Sequence, residues 1–278
     1  MKKSLYLFQN GELVRKDNTI LFKNEERQRF IPVENVNDIY IFGEVDVNKR
    51  FLEFASQKEI CVHFFNYYGY YVGTFYPREH LNAGYVTIKQ AEHYIDNGKR
   101  LWLAKAYVRG AIGQMQQVLK YYRNRVDKGR GHIETVIATL DEQHERLEPL
   151  ETIEAVMAVE GNAREWYYSA FDVILGNPDF VFEKRSRRPP LNRLNALISF
   201  GNSICYTMVL SEIYKTFLDP RIGYLHASNF RRFTLNLDIA EIFKPIVVDR
   251  LIFTLINKRM VTKKDFDEQL GLKTEISA

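Results

Sequence analysis

The sequence predicts an α+β protein of two domains. A small N-terminal antiparallel β domain, sandwich-like and carrying one helix, spans 1–80; a larger all-α domain spans 81–278. Three observations carry this. Up to Phe75 the apolar residues fall in short β-branched and aromatic runs broken by turn residues. Beyond Gly84 they recur at helical spacing over long segments. Between the two, Pro77 to Gly84 has the composition of a linker.

Leu5-Tyr6-Leu7-Phe8 reads as the first strand. The Asn10-Gly11 pair after it is a hairpin signal leading into Glu12-Leu13-Val14-Arg15. Lys16-Asp17-Asn18 then turns the chain into Thr19-Ile20-Leu21-Phe22. Phe30-Ile31-Pro32-Val33 and Ile39-Tyr40-Ile41-Phe42 continue the pattern. From Val47 to Gln57 the period changes, with Val47, Phe51, Phe54 and Ala55 on one helical face. Ile60 to Phe65 reads as a buried strand and Tyr70 to Phe75 as another. Helical patterns follow over about 85–95, 97–127, 130–146, 151–175, 190–218 and 237–257, with a short one near 263–270. Prolines fall mostly at their ends.

Composition excludes several classes. A 46% hydrophobic fraction is enough for a sizeable core, yet no stretch approaches the roughly 20 consecutive apolar residues of a membrane span. Polar residues from Gln9 onward interrupt the apolar run of the first segment, so no signal-peptide core is expected. Cys61 and Cys205 lie far apart in apolar surroundings and read as buried, reduced thiols of a cytoplasmic protein. Neither a C-x-x-C pair, a dinucleotide fingerprint nor a phosphate-binding loop is present.

With 39 Lys and Arg against 35 Asp and Glu, the net charge of +4 names no partner. Its distribution is more informative. Residues 1–80 hold 11 cations and 11 acids, so the whole excess lies in the helical part. Lys99 to Arg130 contains nine cations against the single acid Asp127, interleaved with Tyr107, Tyr121 and Tyr122. Further clusters are Lys184-Arg185-Ser186-Arg187-Arg188 and Arg231-Arg232. Such clusters suit a phosphate backbone, although the first reads equally well as a solvated helix face.

Among the histidines, His63 reads as core, and His93, His132 and His144 as surface. His226 differs, following Gly223-Tyr224-Leu225 in a loop. Asp238 and Glu241 lie three apart on one helical face that also carries Ile242, and a buried acid is costly unless paired or metal-bound. Asp238 has a second reading as a helix N-cap. Glu160 falls on the apolar side of the helix holding Val156 and Met157. Gly161 beside it weakens that helix by about 1 kcal/mol relative to alanine, which suggests a close approach to its backbone. Glu160, His226 and Glu241 are therefore either a metal-ligand set or three separately solvated residues; spacing alone leaves both open.

Four ordered segments resemble the motifs of the CRISPR-associated adaptation integrase (Cas-one) family. They are Val159-Glu160-Gly161-Asn162-Ala163-Arg164-Glu165-Trp166-Tyr167, Arg188-Pro189-Pro190-Leu191-Asn192-Arg193 running on to Gly201, Leu218 to His226, and Leu237 to Pro245 with Val248-Asp249-Arg250. The wording is most similar to type I systems, of the I-B kind. Three positions depart from the family pattern: Asn192 where many members have Asp, Asn202 where an aromatic is frequent, and Lys244 where Arg is commoner.

The resemblance implies a site for Mg²⁺ or Mn²⁺ made by Glu160, His226 and Glu241, with Asp238 as an auxiliary acid. It implies DNA integration by attack of a prespacer 3′-hydroxyl on a phosphodiester of the leader–repeat junction, with nuclease activity as the same chemistry using water. Expected partners are prespacer and leader–repeat DNA, a second copy bound through the β domain, and the small second adaptation subunit (Cas-two) in a heterohexamer, with no membrane. Arg187, Arg188, Arg231 and Arg232 are the expected phosphate contacts. The competing reading is a catalytically silent DNA-binding scaffold of the same fold; an RNase or phosphodiesterase is not separated from the first by ligands alone.

Overall fold

The computed structural model describes residues 2–77, 81, 83–126, 128–187, 189–226, 233–267 and 275–276. The chain forms two compact units, 1–82 and 83–277.

The first unit holds strands β1 (Lys3–Leu7), β2 (Gly11–Lys16), β3 (Thr19–Lys23), β4 (Gln28–Pro32), β5 (Val36–Ile41) and β6 (Val45–Val47), helix α1 (Lys49–Gln57), then β7 (Cys61–Phe65) and β8 (Tyr71–Phe75). They form two four-stranded sheets, ordered β1-β5-β7-β8 and β4-β3-β2-β6. Leu13 and Ile20 of one sheet, Ile39 and Val62 of the other, and Phe51 and Phe54 of α1 share one core. The two-sheet, one-helix prediction holds, and the sheets are mixed: β2–β3, β3–β4 and β7–β8 are antiparallel as expected, whereas β1–β5, β5–β7 and β2–β6 are parallel. Turn signals report only strands that follow one another, and these three pairs are joined by long connections.

The hairpin expected at Asn10-Gly11 is absent for the same reason. β1 and β2 belong to different sheets, and the hairpin lies one strand later, where β2 pairs with β3 across Asp17. Asn10 instead ties the crossing point: its Oδ1 accepts the Glu44 N–H at 2.9 Å, and the Gly11 N–H donates to the Glu44 carbonyl at 3.0 Å.

The second unit contains α2 (Gly84–Ile95), α3 (Asn97–Arg123), α4 (Arg130–Arg146), α5 (Ile153–Ser169), α6 (Phe171–Leu175), α7 (Arg193–Tyr214), α8 (Leu235–Lys244) and α9 (Arg250–Asn257). Helix α3 is central; Ala104, Val108, Ala111, Ile112, Met115 and Leu119 bury its inner face against α4, α5 and α8. Helix α7 is long and apolar enough by length and composition to cross a membrane, which the sequence reading did not anticipate. Half of that stretch is buried within the unit, which accounts for its apolarity. The helix expected over 237–257 is interrupted by a π turn at Pro245–Asp249, where Pro245 supplies no N–H. Of the short helix expected near 263–270, residues 268–270 lie outside the described residues, and at Lys263–Asp265 the chain forms a 3-10 turn closed by a Thr262–Asp265 capping box. The chain then enters a two-residue strand β9 (Phe266–Asp267) that pairs with β10 (Glu275–Ile276).

Candidate active site

Helices α5, α7 and α8 meet around a cluster of charged side chains. Thr152 caps α5 by accepting the Ala155 N–H at 3.3 Å. The apolar face of α5, with Val156, Val159 and Ala163 inward, carries Glu160 and Arg164 one turn apart. Arg164 is only 7% exposed. Its Nε donates to Glu160 Oε1 at 2.9 Å, and one terminal nitrogen makes a short bond to Glu241 Oε2 on α8. The other terminal nitrogen is buried with no hydrogen-bond partner among the described residues.

Glu241 is buried too, and its second oxygen is held by Lys244 Nζ one turn along α8. Lys244 also donates to the Tyr206 hydroxyl of α7 and lies 4.4 Å from that ring's centroid. Burial alone would raise the Glu241 carboxyl, but Arg164 and then Lys244 outweigh it and hold it at about 2. Glu241 in turn keeps both cations charged against the desolvation that opposes them. In the adjoining π turn Asp249 is fully buried. Its carboxyl is pushed up to about 7 by burial, which the attraction of Arg164 and Lys244 only partly offsets.

The loop bearing His226 is organised by Asp238. Oδ2 accepts the N–H of Tyr224 at 2.6 Å and of Leu225 at 3.0 Å; Oδ1 accepts His226 N–H at 2.9 Å and bonds His226 Nδ1 at 2.8 Å. Four donors fill the lone pairs of this carboxylate. Asp238 is therefore not the N-cap of α8, a position taken by Thr234. Gly223 makes the packing possible, because a Cβ there would lie 2.7 Å from the Thr234 backbone and 2.9 Å from Asp238 Oδ2. With Asp238 accepting from Nδ1, a neutral His226 ring keeps its lone pair on Nε2.

Residues 5–277 match the family described as CRISPR associated protein Cas1. The chain belongs to this family. It is 58% identical over 270 residues to a protein of Thermodesulfovibrio yellowstonii named CRISPR-associated endonuclease Cas1 2, covering 97% of this chain and 81% of the relative. A solved Cas1 protein of Thermotoga maritima is 52% identical with a TM-score of 0.89, over 99% of this chain and 84% of that one. A casposase solved bound to integration product shares the fold at a TM-score of 0.84 and 18% identity, over 99% of this chain and 78% of that one.

Within this Cas1 chain, then, Glu160 and Glu241 meet on one guanidinium, while His226 is held on the Asp238 carboxylate. Among the described residues, however, no three His, Cys, Asp or Glu side chains stand close enough together to hold a metal ion. Arg187 is exposed. Arg188, Arg231 and Arg232 lie outside the described residues. The Cas1 loop before α7 is built by Asn195, whose Oδ1 accepts from Arg185 at 2.9 Å and from Ser186 N–H at 3.1 Å. Asn192 caps α7 by accepting the Asn195 N–H at 2.8 Å, a role asparagine fills as well as aspartate.

Of the cations on α3, Lys105 and Arg109 are engaged by Glu148, and Arg100 by the Tyr224 carbonyl. That part of the stripe ties α3 to the loops after α4 and before α8. Sequence reasoning passed over Arg164 and Tyr206, since a lone Arg or Tyr on a helix carries no signal of what it faces. The close approach inferred at Gly161 is not there: a Cβ would meet open space.

Proposed function

We propose that the chain is a divalent-metal-dependent DNA integrase and endonuclease of CRISPR adaptation, with Glu160, His226 and Glu241 as the residues that hold Mg²⁺ or Mn²⁺. The observation that carries this reading is that carboxylates from two distant helices converge on one buried cation, while a further carboxylate, Asp238, orients the ring of His226. Two carboxylates and one imidazole nitrogen are a donor set that suits these ions. Bound there, the ion would polarise the target phosphodiester and stabilise the leaving oxygen.

The chain's own groups do the rest. Glu241 is ionised throughout the neutral range. Lys244, steered by Tyr206, holds one oxygen of Glu241 in place. Asp238 fixes the tautomer and direction of His226 and, its lone pairs being filled, is a positioning acid in preference to a fourth ligand. In the proposed reaction the 3′-hydroxyl of a prespacer attacks a phosphodiester at the leader–repeat junction, then at the other repeat end; water in its place gives hydrolysis. Arg187, Arg188, Arg231 and Arg232 are the proposed phosphate contacts. A second copy through the β unit, whose Tyr67 and Phe8 are exposed, and Cas2 in a heterohexamer are the proposed partners.

Glu160→Ala and His226→Ala are each expected to abolish Mn²⁺-dependent strand transfer on a branched DNA substrate; retention of transfer in either sinks the proposal. The guanidinium between the carboxylates favours a second reading, a catalytically silent scaffold. That reading expects DNA affinity indifferent to chelator and no strand transfer under any metal.

A further inference from the structure

We infer that Arg164 is a resident counter-cation of this site: its guanidinium holds Glu160 and Glu241 together in the absence of a divalent ion and must withdraw when one enters. The inference rests on the metal-site reading above.

Removing one partner from a buried ion pair is costly, because it leaves an uncompensated charge in a poorly solvated place. Glu241 and Arg164 are both buried, and Glu160 is 20% exposed at its side chain. The planar fork of arginine bridges the two carboxylates through different nitrogens, so it sets the spacing between α5 and α8 as well as the charge. Two anions, Glu160 and Glu241, already face two cations, Arg164 and Lys244. A divalent ion between the carboxylates would add charge that a retreating guanidinium offsets.

The two cations are not held alike. Lys244 is anchored by both Tyr206 and Glu241. Arg164 has one buried nitrogen with no partner among the described residues, so the carboxylates supply all its hydrogen bonds there. Arg164 is therefore the cation that yields. By linkage, whatever Arg164 contributes to the metal-free fold it subtracts from metal affinity.

The test uses the full chain, melted in chelator and in rising Mn²⁺, with Mn²⁺ affinity read by calorimetry. Arg164→Gln is expected to melt lower than wild type in chelator and to be raised more by Mn²⁺. It is also expected to bind Mn²⁺ tighter by roughly tenfold or more, within the 5–150-fold range usual for coupled sites. Arg164→Lys, which keeps charge without the fork, should fall between. Unchanged melting and affinity in Arg164→Gln, or weaker Mn²⁺ binding, overturns the inference. Should that variant fail to fold, Arg164→Gln combined with Glu241→Gln decides: recovery of melting in chelator supports the counter-cation role, and no recovery overturns it. Glu160→Gln separates the two readings. If it binds Mn²⁺ as wild type does, the ligand assignment fails, while the melts in chelator still judge Arg164.

Discussion

Two buried acids eight residues apart shift in opposite directions because Arg164 and Lys244 bond Glu241 directly, whereas at Asp249 the same two cations only partly offset burial. Burial would raise Glu241, but direct pairing with Arg164 and Lys244 depresses it from 4.5 to about 2. A depressed carboxylate stabilises the fold above its ordinary range, and that contribution is lost as pH falls from 4.5 through 2. Asp249, raised from 3.8 to about 7, has the opposite sign: its contribution is complete below 3.8 and disappears as pH rises through 7. Asp249→Asn is accordingly expected to reduce the fall in melting temperature between about pH 5 and about pH 8, measured by thermal scans across that range. Asp238 tests a different term. Asp238→Asn puts an amide NH₂ against backbone N–H donors and is expected to cost about 2–3 kcal/mol, read from urea unfolding at neutral pH.

At the scale of elements, the site depends on how closely α7 approaches the helix that runs from α8 through the π turn into α9. Gly201 on α7 is what permits it: a Cβ there would lie 2.6 Å from Val248 Cγ1, and a valine side chain has little freedom to move aside. Gly201→Ala should cost about 1–3 kcal/mol by overpacking. Adding Val248→Ala should recover part of that loss, a coupling that a double-mutant cycle on unfolding free energies measures. The helix spans were legible because a 3.6-residue apolar period is local. The π turn was not, since the apolar spacing runs on through Pro245 and reads as one helix over 237–257.

At the scale of the whole molecule, the β unit and the helical unit each have their own apolar core. Leu13 and Ile112 are both fully buried, one in each. Replacing either by alanine is expected to cost about 2–5 kcal/mol, and the pair should add within about 0.5 kcal/mol in denaturant titrations. The sequence by itself determined the division near residue 80, the helices, the burial of both cysteines, and the segments that place the chain in the Cas1 family. All of these are local patterns of spacing and residue type. It also singled out Glu160, Asp238 and Glu241, because acids on apolar faces are conspicuous, and His226 by its place in a loop after Gly223-Tyr224-Leu225. Only the tertiary structure decided that three of the strand pairs run parallel, that Asp238 is filled by the loop it organises, and that Arg164 stands between the two glutamates. Such pairings join residues far apart in the chain and leave no periodic trace along it, and a buried arginine is written with the same letter as an exposed one.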